Sequence, residues 1–155
     1  MRKATIRAAY RAAFLTIRTW RRMTGAHGRG GMVLIWVQDE ILLVKPSYAP
    51  YYTLPGGRAN RGEALIDTAV RELREETGIL MTADQLYAVD HPLFRMLLDT
   101  DVLGLFETKL SVRPDVQIDG IEIEDYKFVT PEEALKLELY NKLRRYLSDL
   151  RHCPE

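Results

Sequence analysis

At 155 residues the chain is sized for one domain that buries its own core without staples. Hydrophobic residues make up 46% and charged residues 28%, which excludes a collagen-like, low-complexity or disulfide-built protein. The formal net charge of zero points to no class of partner, and the single cysteine, Cys153, allows no internal disulfide. A free thiol there suits a reducing compartment, and a cytoplasmic location is expected.

Zero net charge hides a division. Residues 1–30 hold eight of the 22 basic side chains and none of the 22 acids. Ile6, Tyr10, Ala13, Phe14, Ile17 and Trp20 recur at three- and four-residue steps, which predicts a basic amphipathic helix. Arg7, Arg11 and Arg18 interrupt every apolar run, arguing against a transmembrane span or a secretory signal. The apolar stripe is expected to pack on the domain or on a second subunit in a homodimer. The alternatives are contact of residues 1–22 with an anionic membrane, a mitochondrial presequence, or arginines that bind phosphate. No specific nucleic acid is implied.

From Met23 to Gly31 the composition is that of a Gly-rich linker, so the division expected is 1–30 for helix and linker and 31–155 for the domain. Residues 32–37 and 41–44 read as strands of a hairpin turning at 38–40. An aromatic, Pro-containing loop from Tyr48 to Tyr52 leads to Leu54-Pro55-Gly56-Gly57, a turn that lets backbone approach a ligand.

A helix is then expected from about Leu65 to Thr77, with Leu65, Ile66, Ala69, Val70 and Leu73 as its apolar stripe. Gly78 suits the left-handed position after its end, with Ile79 as the apolar residue beyond. Glu72, Glu75 and Glu76 fall at i, i+3 and i+4, which stacks three carboxylates on one face. Like charges so placed repel, and a hard divalent cation such as Mg²⁺ or Mn²⁺ would turn repulsion into coordination. A merely solvated acidic face is the competing reading of the three glutamates alone.

Further strands are expected at 86–89, 94–98, 102–108 and 126–129. Thr130-Pro131-Glu132-Glu133 has the pattern of a capped helix start. Leu135, Leu139, Leu143, Tyr146, Leu147 and Leu150 then predict a C-terminal helix. Strands before and after a central helix suggest a mixed sheet between helix layers, an α/β class.

The run from Gly57 to Ile79 resembles the signature of the Nudix hydrolases: glycine, five residues, Glu63, seven residues, Arg71-Glu72-Leu73, one residue, Glu75-Glu76, one residue, Gly78-Ile79. All nine defined positions match. The resemblance implies an α/β/α sandwich and metal-dependent cleavage of a phosphoanhydride bond in a nucleoside diphosphate linked to another group, such as a nucleotide sugar or ADP-ribose. A nucleoside triphosphate pyrophosphatase is the alternative within the family. A non-catalytic nucleotide-binding or membrane-associated module of the same fold is the alternative outside it.

By motif position the resemblance assigns metal binding to Glu72, Glu75 and Glu76, with Glu63 and the Gly57 backbone beside them. Arg71 matches the arginine that holds a glutamate in place. An acid from a later loop often completes the catalytic set. Asp119, Glu122, Glu124 and Asp125 offer themselves, with Glu122 favoured, although charges that deter strand-edge pairing would look the same. Lys45, Arg58 and Arg95 are candidate phosphate partners, and Tyr52 and Phe94 candidate stacking surfaces, as are Tyr48 and Tyr51. Past the box, where family members mark ADP-ribose hydrolysis with Pro and dinucleoside polyphosphate hydrolysis with Tyr, this chain has Phe94-Arg95-Met96. Neither subgroup is supported.

Overall fold

Strand β1, Gly28–Val37, alternates between two cores, with Met32 and Leu34 facing one and Val33, Ile35 and Val37 the other. The computed structural model describes residues 4–10, 12–13, 28–94 and 101–150. Residues 4–10 and 12–13 are helical and form α1. β2 is Glu40–Pro46, β3 Gly56–Arg58, β4 Tyr87–Ala88, β5 Asp101–Leu110 and β6 Ile123–Val129. The sheet runs β4-β5-β1-β2-β6, and β3 also pairs with β1. β1 and β5 are parallel and the other pairs antiparallel, so the sheet is mixed, as expected.

One face is covered by α2, Leu65–Thr77, whose Ala69 and Leu73 join Val33, Ile35, Leu42 and Phe106. The other carries Leu34, Leu43, Leu54 and Leu105 beneath α3, Pro131–Ala134, and α4, Asn141–Leu150. This layering is the expected α/β/α arrangement. Gly78 takes φ 72° after α2 and donates to the Arg74 carbonyl, closing the helix where the sequence predicts.

A row of three glycines decides how closely α2 approaches. Gly31 of β1 pairs with Gly57 of β3 on one side and Gly104 of β5 on the other. A Cβ on Gly31 would stand 2.2 Å from the Leu65 carbonyl and 2.9 Å from the Ala69 nitrogen. The start of the helix therefore rests directly on bare backbone.

Four expectations change. Gly28 to Gly31, read as linker, are the opening residues of β1. Ile6 and Tyr10 are each 39% exposed, so this part of the N-terminal stripe is not packed away as expected; Phe14, Ile17 and Trp20 lie outside the described residues. Phe94 belongs to a turn at 92–94 rather than to a strand, and 95–98 lie outside the described residues.

The single C-terminal helix is two. Between them the backbone opens to serve Tyr52, whose N–H donates to the Glu138 carbonyl at 2.8 Å and whose carbonyl accepts from the Tyr140 N–H at 2.9 Å. Arg144 donates to the carbonyls of Leu135 and Leu137 at 2.8 and 2.6 Å, satisfying groups freed by the break.

Candidate active site

Helix α2 presents its acidic face beside the β3 end of the sheet, and Arg71 organises that face. All five guanidinium N–H groups are used. Nε and Nη2 donate to the two oxygens of Glu63 at 2.9 and 3.0 Å. Nη1 reaches Glu72 at 2.7 Å and Glu75 at 3.1 Å, and Nη2 also donates to the Arg58 carbonyl at 3.0 Å. Glu63 accepts in addition from the Asn60 N–H at 2.8 Å and the Thr68 hydroxyl at 3.0 Å. Its hydrogen bonds with Arg71 first, then that with Asn60, hold its carboxyl at about 2.

Glu76 is in a different state. It is 6% exposed, and its Oε2 accepts from the Gly56 N–H at 2.9 Å. Burial pushes its carboxyl well above the usual range against the Gly56 bond, and the charges of Glu72, Glu122 and Glu75 push the same way. Glu72 is raised too, by burial first and by Glu75 and Glu63, while Arg71 opposes. Gly57 makes room for it, since a Cβ there would lie 2.5 Å from the Glu72 carboxyl carbon.

Glu122 arrives from the loop before β6. Burial and then Glu72, Asp119 and Glu75 raise its carboxyl, which puts it within electrostatic reach of the helix acids. Tyr48 is shifted upward by burial first, then by Glu76 and Glu122, so its hydroxyl borders the same group. Glu72, Glu75, Glu76 and Glu122 lie within electrostatic reach of one another, and carboxylate oxygens are the donors that a hard divalent cation takes. Among the described residues no three acids, histidines or cysteines come close enough together to hold a metal ion, and Glu72 and Glu75 are hydrogen-bonded to Arg71.

Next to the acids opens a cleft of about 240 Å³, bordered by Arg29, Arg58, Tyr48, Tyr51, Tyr140 and Gly57. Tyr51 and Tyr140 lie 5.8 Å apart, tilted by 31°. Arg29 was hidden from sequence reasoning inside the apparent linker, and Tyr140 within an apparent helix. Their only signal was position, fixed once β1 and the break after α3 are known.

Other candidate residues lie elsewhere. Lys45 pairs with Glu124 at 3.0 Å, and the Tyr52 hydroxyl donates to Asp125. Neither borders the cleft, and the ammonium groups of Lys45 and Lys127 lie 5.9 and 5.7 Å from the Tyr52 ring centre. Phe94 is a core residue, 7% exposed and edge-on to Tyr146 at 5.6 Å, which corrects its reading as a stacking surface. Arg95 lies outside the described residues.

Comparison with known proteins agrees with this geometry. The family model described as the NUDIX domain matches residues 26–150. A candidate 8-oxo-dGTP diphosphatase of Bacillus subtilis (strain 168) is 31% identical over 126 residues, covering 80% of each chain. Among solved structures, a MutT protein from Methanosarcina mazei Go1 superposes with a TM-score of 0.63 at 24% identity, over 81% of this chain and 94% of that one. An Ap4A hydrolase of C. elegans in a binary complex gives 0.59 at 25% identity, over 79% and 95%. The chain belongs to the Nudix hydrolase family.

Proposed function

We propose that the protein uses Mg²⁺ or Mn²⁺ to hydrolyse a phosphoanhydride bond in a nucleoside diphosphate linked to another group, a nucleotide sugar or an ADP-ribose-like compound. The observation that carries this reading is Glu76, a buried acid within electrostatic reach of Glu72, Glu75 and Glu122, beside a cleft with two arginines. A buried carboxylate among like charges is costly unless it takes up a proton or a cation shares the site.

Glu72, Glu75 and Glu76 would hold the ion, with the bare Gly57 backbone giving Glu72 its place. When bound, the ion neutralises phosphate charge and makes water a better nucleophile. Glu63 has both oxygens occupied, so it anchors Arg71, and Arg71 in turn holds Glu72 and Glu75. Glu122, its carboxyl made more basic by burial and by the charge of Glu72, would accept the proton of the attacking water. Arg29 and Arg58 offer charge to the phosphates, and Tyr51 with Tyr140 offers aromatic surface to a base. Lys45 and Tyr52 brace the β2–β6 edge instead.

A second reading, a nucleoside triphosphate pyrophosphatase, is favoured by the B. subtilis relative, which is named for 8-oxo-dGTP. One experiment separates them. The full chain is assayed with Mg²⁺, with Mn²⁺ and after chelation on nucleotide sugars, ADP-ribose, dinucleoside polyphosphates, capped RNA and nucleoside triphosphates including 8-oxo-dGTP. Preference for the diphosphate derivatives supports the first reading, and preference for triphosphates the second. Turnover that survives exhaustive chelation removes the metal from both. No turnover of any compound leaves a binding module. Among the described residues no helix is long and apolar enough to cross a membrane.

A further inference from the structure

The loop that delivers Glu122 is fastened by a residue far from it in sequence. Arg7, on α1, donates from Nε at 3.0 Å and Nη2 at 2.7 Å to the carbonyl of Gly120. Its Nη1 lies 3.9 Å from Glu124, which also pairs with Lys45. The loop has its own internal order. One Asp119 oxygen accepts from the N–H groups of Ile121, Glu122 and Ile123 at 2.8, 3.0 and 3.3 Å, and Gly120 turns at φ 66°. The Glu122 carbonyl accepts from the Ser47 N–H at 2.7 Å. Internal bonds set the shape of a turn, but its position against the helix acids depends on what holds it from outside. Ser47 holds it from the turn just after β2, and Arg7 from far away in the sequence.

We propose that Arg7 is a positioning residue for Glu122, so that the basic N-terminal helix is a working part of the candidate active site. A guanidinium that gives two N–H bonds to one carbonyl fixes that peptide in direction as well as distance. The exposure of Ile6 and Tyr10 agrees, because among the described residues of α1 Arg7 is half-buried while Ile6, Tyr10 and Ala13 are exposed. The proposal rests on the reading of Glu122 given above, and the test keeps the two apart.

The test uses the full chain, Arg7→Ala, Arg7→Lys, Glu122→Gln and the double variant Arg7→Ala/Glu122→Gln. Hydrogen exchange at the amides of Ile121, Glu122 and Ile123 is measured with no nucleotide present. Hydrolysis of ADP-ribose and of 8-oxo-dGTP with Mg²⁺ is measured beside it. Exchange at these amides should quicken in Arg7→Ala and recover in part in Arg7→Lys, with the thermal midpoint of the domain nearly unchanged. For whichever nucleotide is hydrolysed, Arg7→Ala should lower kcat by roughly five- to tenfold with KM little altered. The double variant should be no slower than Glu122→Gln alone, since both changes disable one group. Unchanged exchange in Arg7→Ala overturns the proposal, as does a double variant slowed by the full product of the single effects. If Glu122→Gln hydrolyses at the wild-type rate, the reading of Glu122 fails instead, even where exchange shows that Arg7 orders the loop.

Discussion

Arg71 and Glu63 meet side-on, Nε to Oε1 at 2.9 Å and Nη2 to Oε2 at 3.0 Å, eight residues apart across the entry of α2. This two-bond clasp fixes the plane of the guanidinium and so aims Nη1 at Glu72 and Glu75. A lysine would keep the charge and lose the plane.

Arg71→Lys should therefore lower kcat/KM by roughly 10- to 10²-fold, the usual effect of removing a group that orients metal ligands. Its apparent Mg²⁺ affinity should weaken in parallel. A variant with wild-type activity and affinity shows that the clasp does not set the ligands.

Glu63 is held at about 2 in the folded protein against an ordinary 4.5, so the unfolded chain takes up its proton first as pH falls. The sign follows: its stabilising contribution is whole above 4.5 and is lost as pH falls through about 2. Acid unfolding of Glu63→Gln should lack that part of the pH dependence. Parallel curves for the two proteins between 4.5 and 2 contradict this.

Glu76 runs the other way. Its carboxyl is raised in the fold, so the folded protein holds a proton that the unfolded chain releases. Metal-free wild type should gain stability as pH falls from neutrality toward 4.5, and Glu76→Gln should lose that gain. The same variant should melt no lower than wild type in chelator at neutral pH, yet lose at least ~10²-fold in kcat/KM, about 2.7 kcal/mol of transition-state stabilisation. Near-normal turnover would take Glu76 out of the site.

Gly57→Ala places a methyl 2.5 Å from the Glu72 carboxyl carbon, so that side chain must move. Displacing a ligand by a fraction of an ångström to an ångström should cost about 10- to 10²-fold in activity. The overpacking should destabilise by about 1–3 kcal/mol. A variant that loses stability and keeps its activity would show that Glu72 tolerates displacement.

The limits of α2 were legible in the sequence because they depend on local chemistry. The apolar stripe, the Gly78 end and the i, i+3, i+4 glutamates all act within a few turns of one helix. The Thr130 cap was legible for the same reason: its hydroxyl accepts from the Glu133 N–H, three residues away. Pattern could not say how far the helix beyond it runs. That is settled by Tyr52, which takes the backbone groups of Glu138 and Tyr140 from more than eighty residues away.

The candidate site divides along the same line. The Nudix box supplied Glu72, Glu75 and Glu76, and the clasp of Arg71 was readable from their resemblance to a known family. That the row Gly57, Gly31 and Gly104 would form the floor under α2 could not be read, since β3, β1 and β5 meet only in the folded sheet. Phe94 and Arg29 were misplaced because an aromatic beyond a box and an arginine between glycines look alike in any surroundings. Burial sent one to the core, and strand pairing brought the other to the cleft. The sequence alone determined which carboxylates share a helix face, because helical periodicity is a local property of the chain. Only the tertiary structure decided which of them is buried, and which distant acid and arginine stand beside it, because burial and through-space charge depend on elements brought together by the sheet.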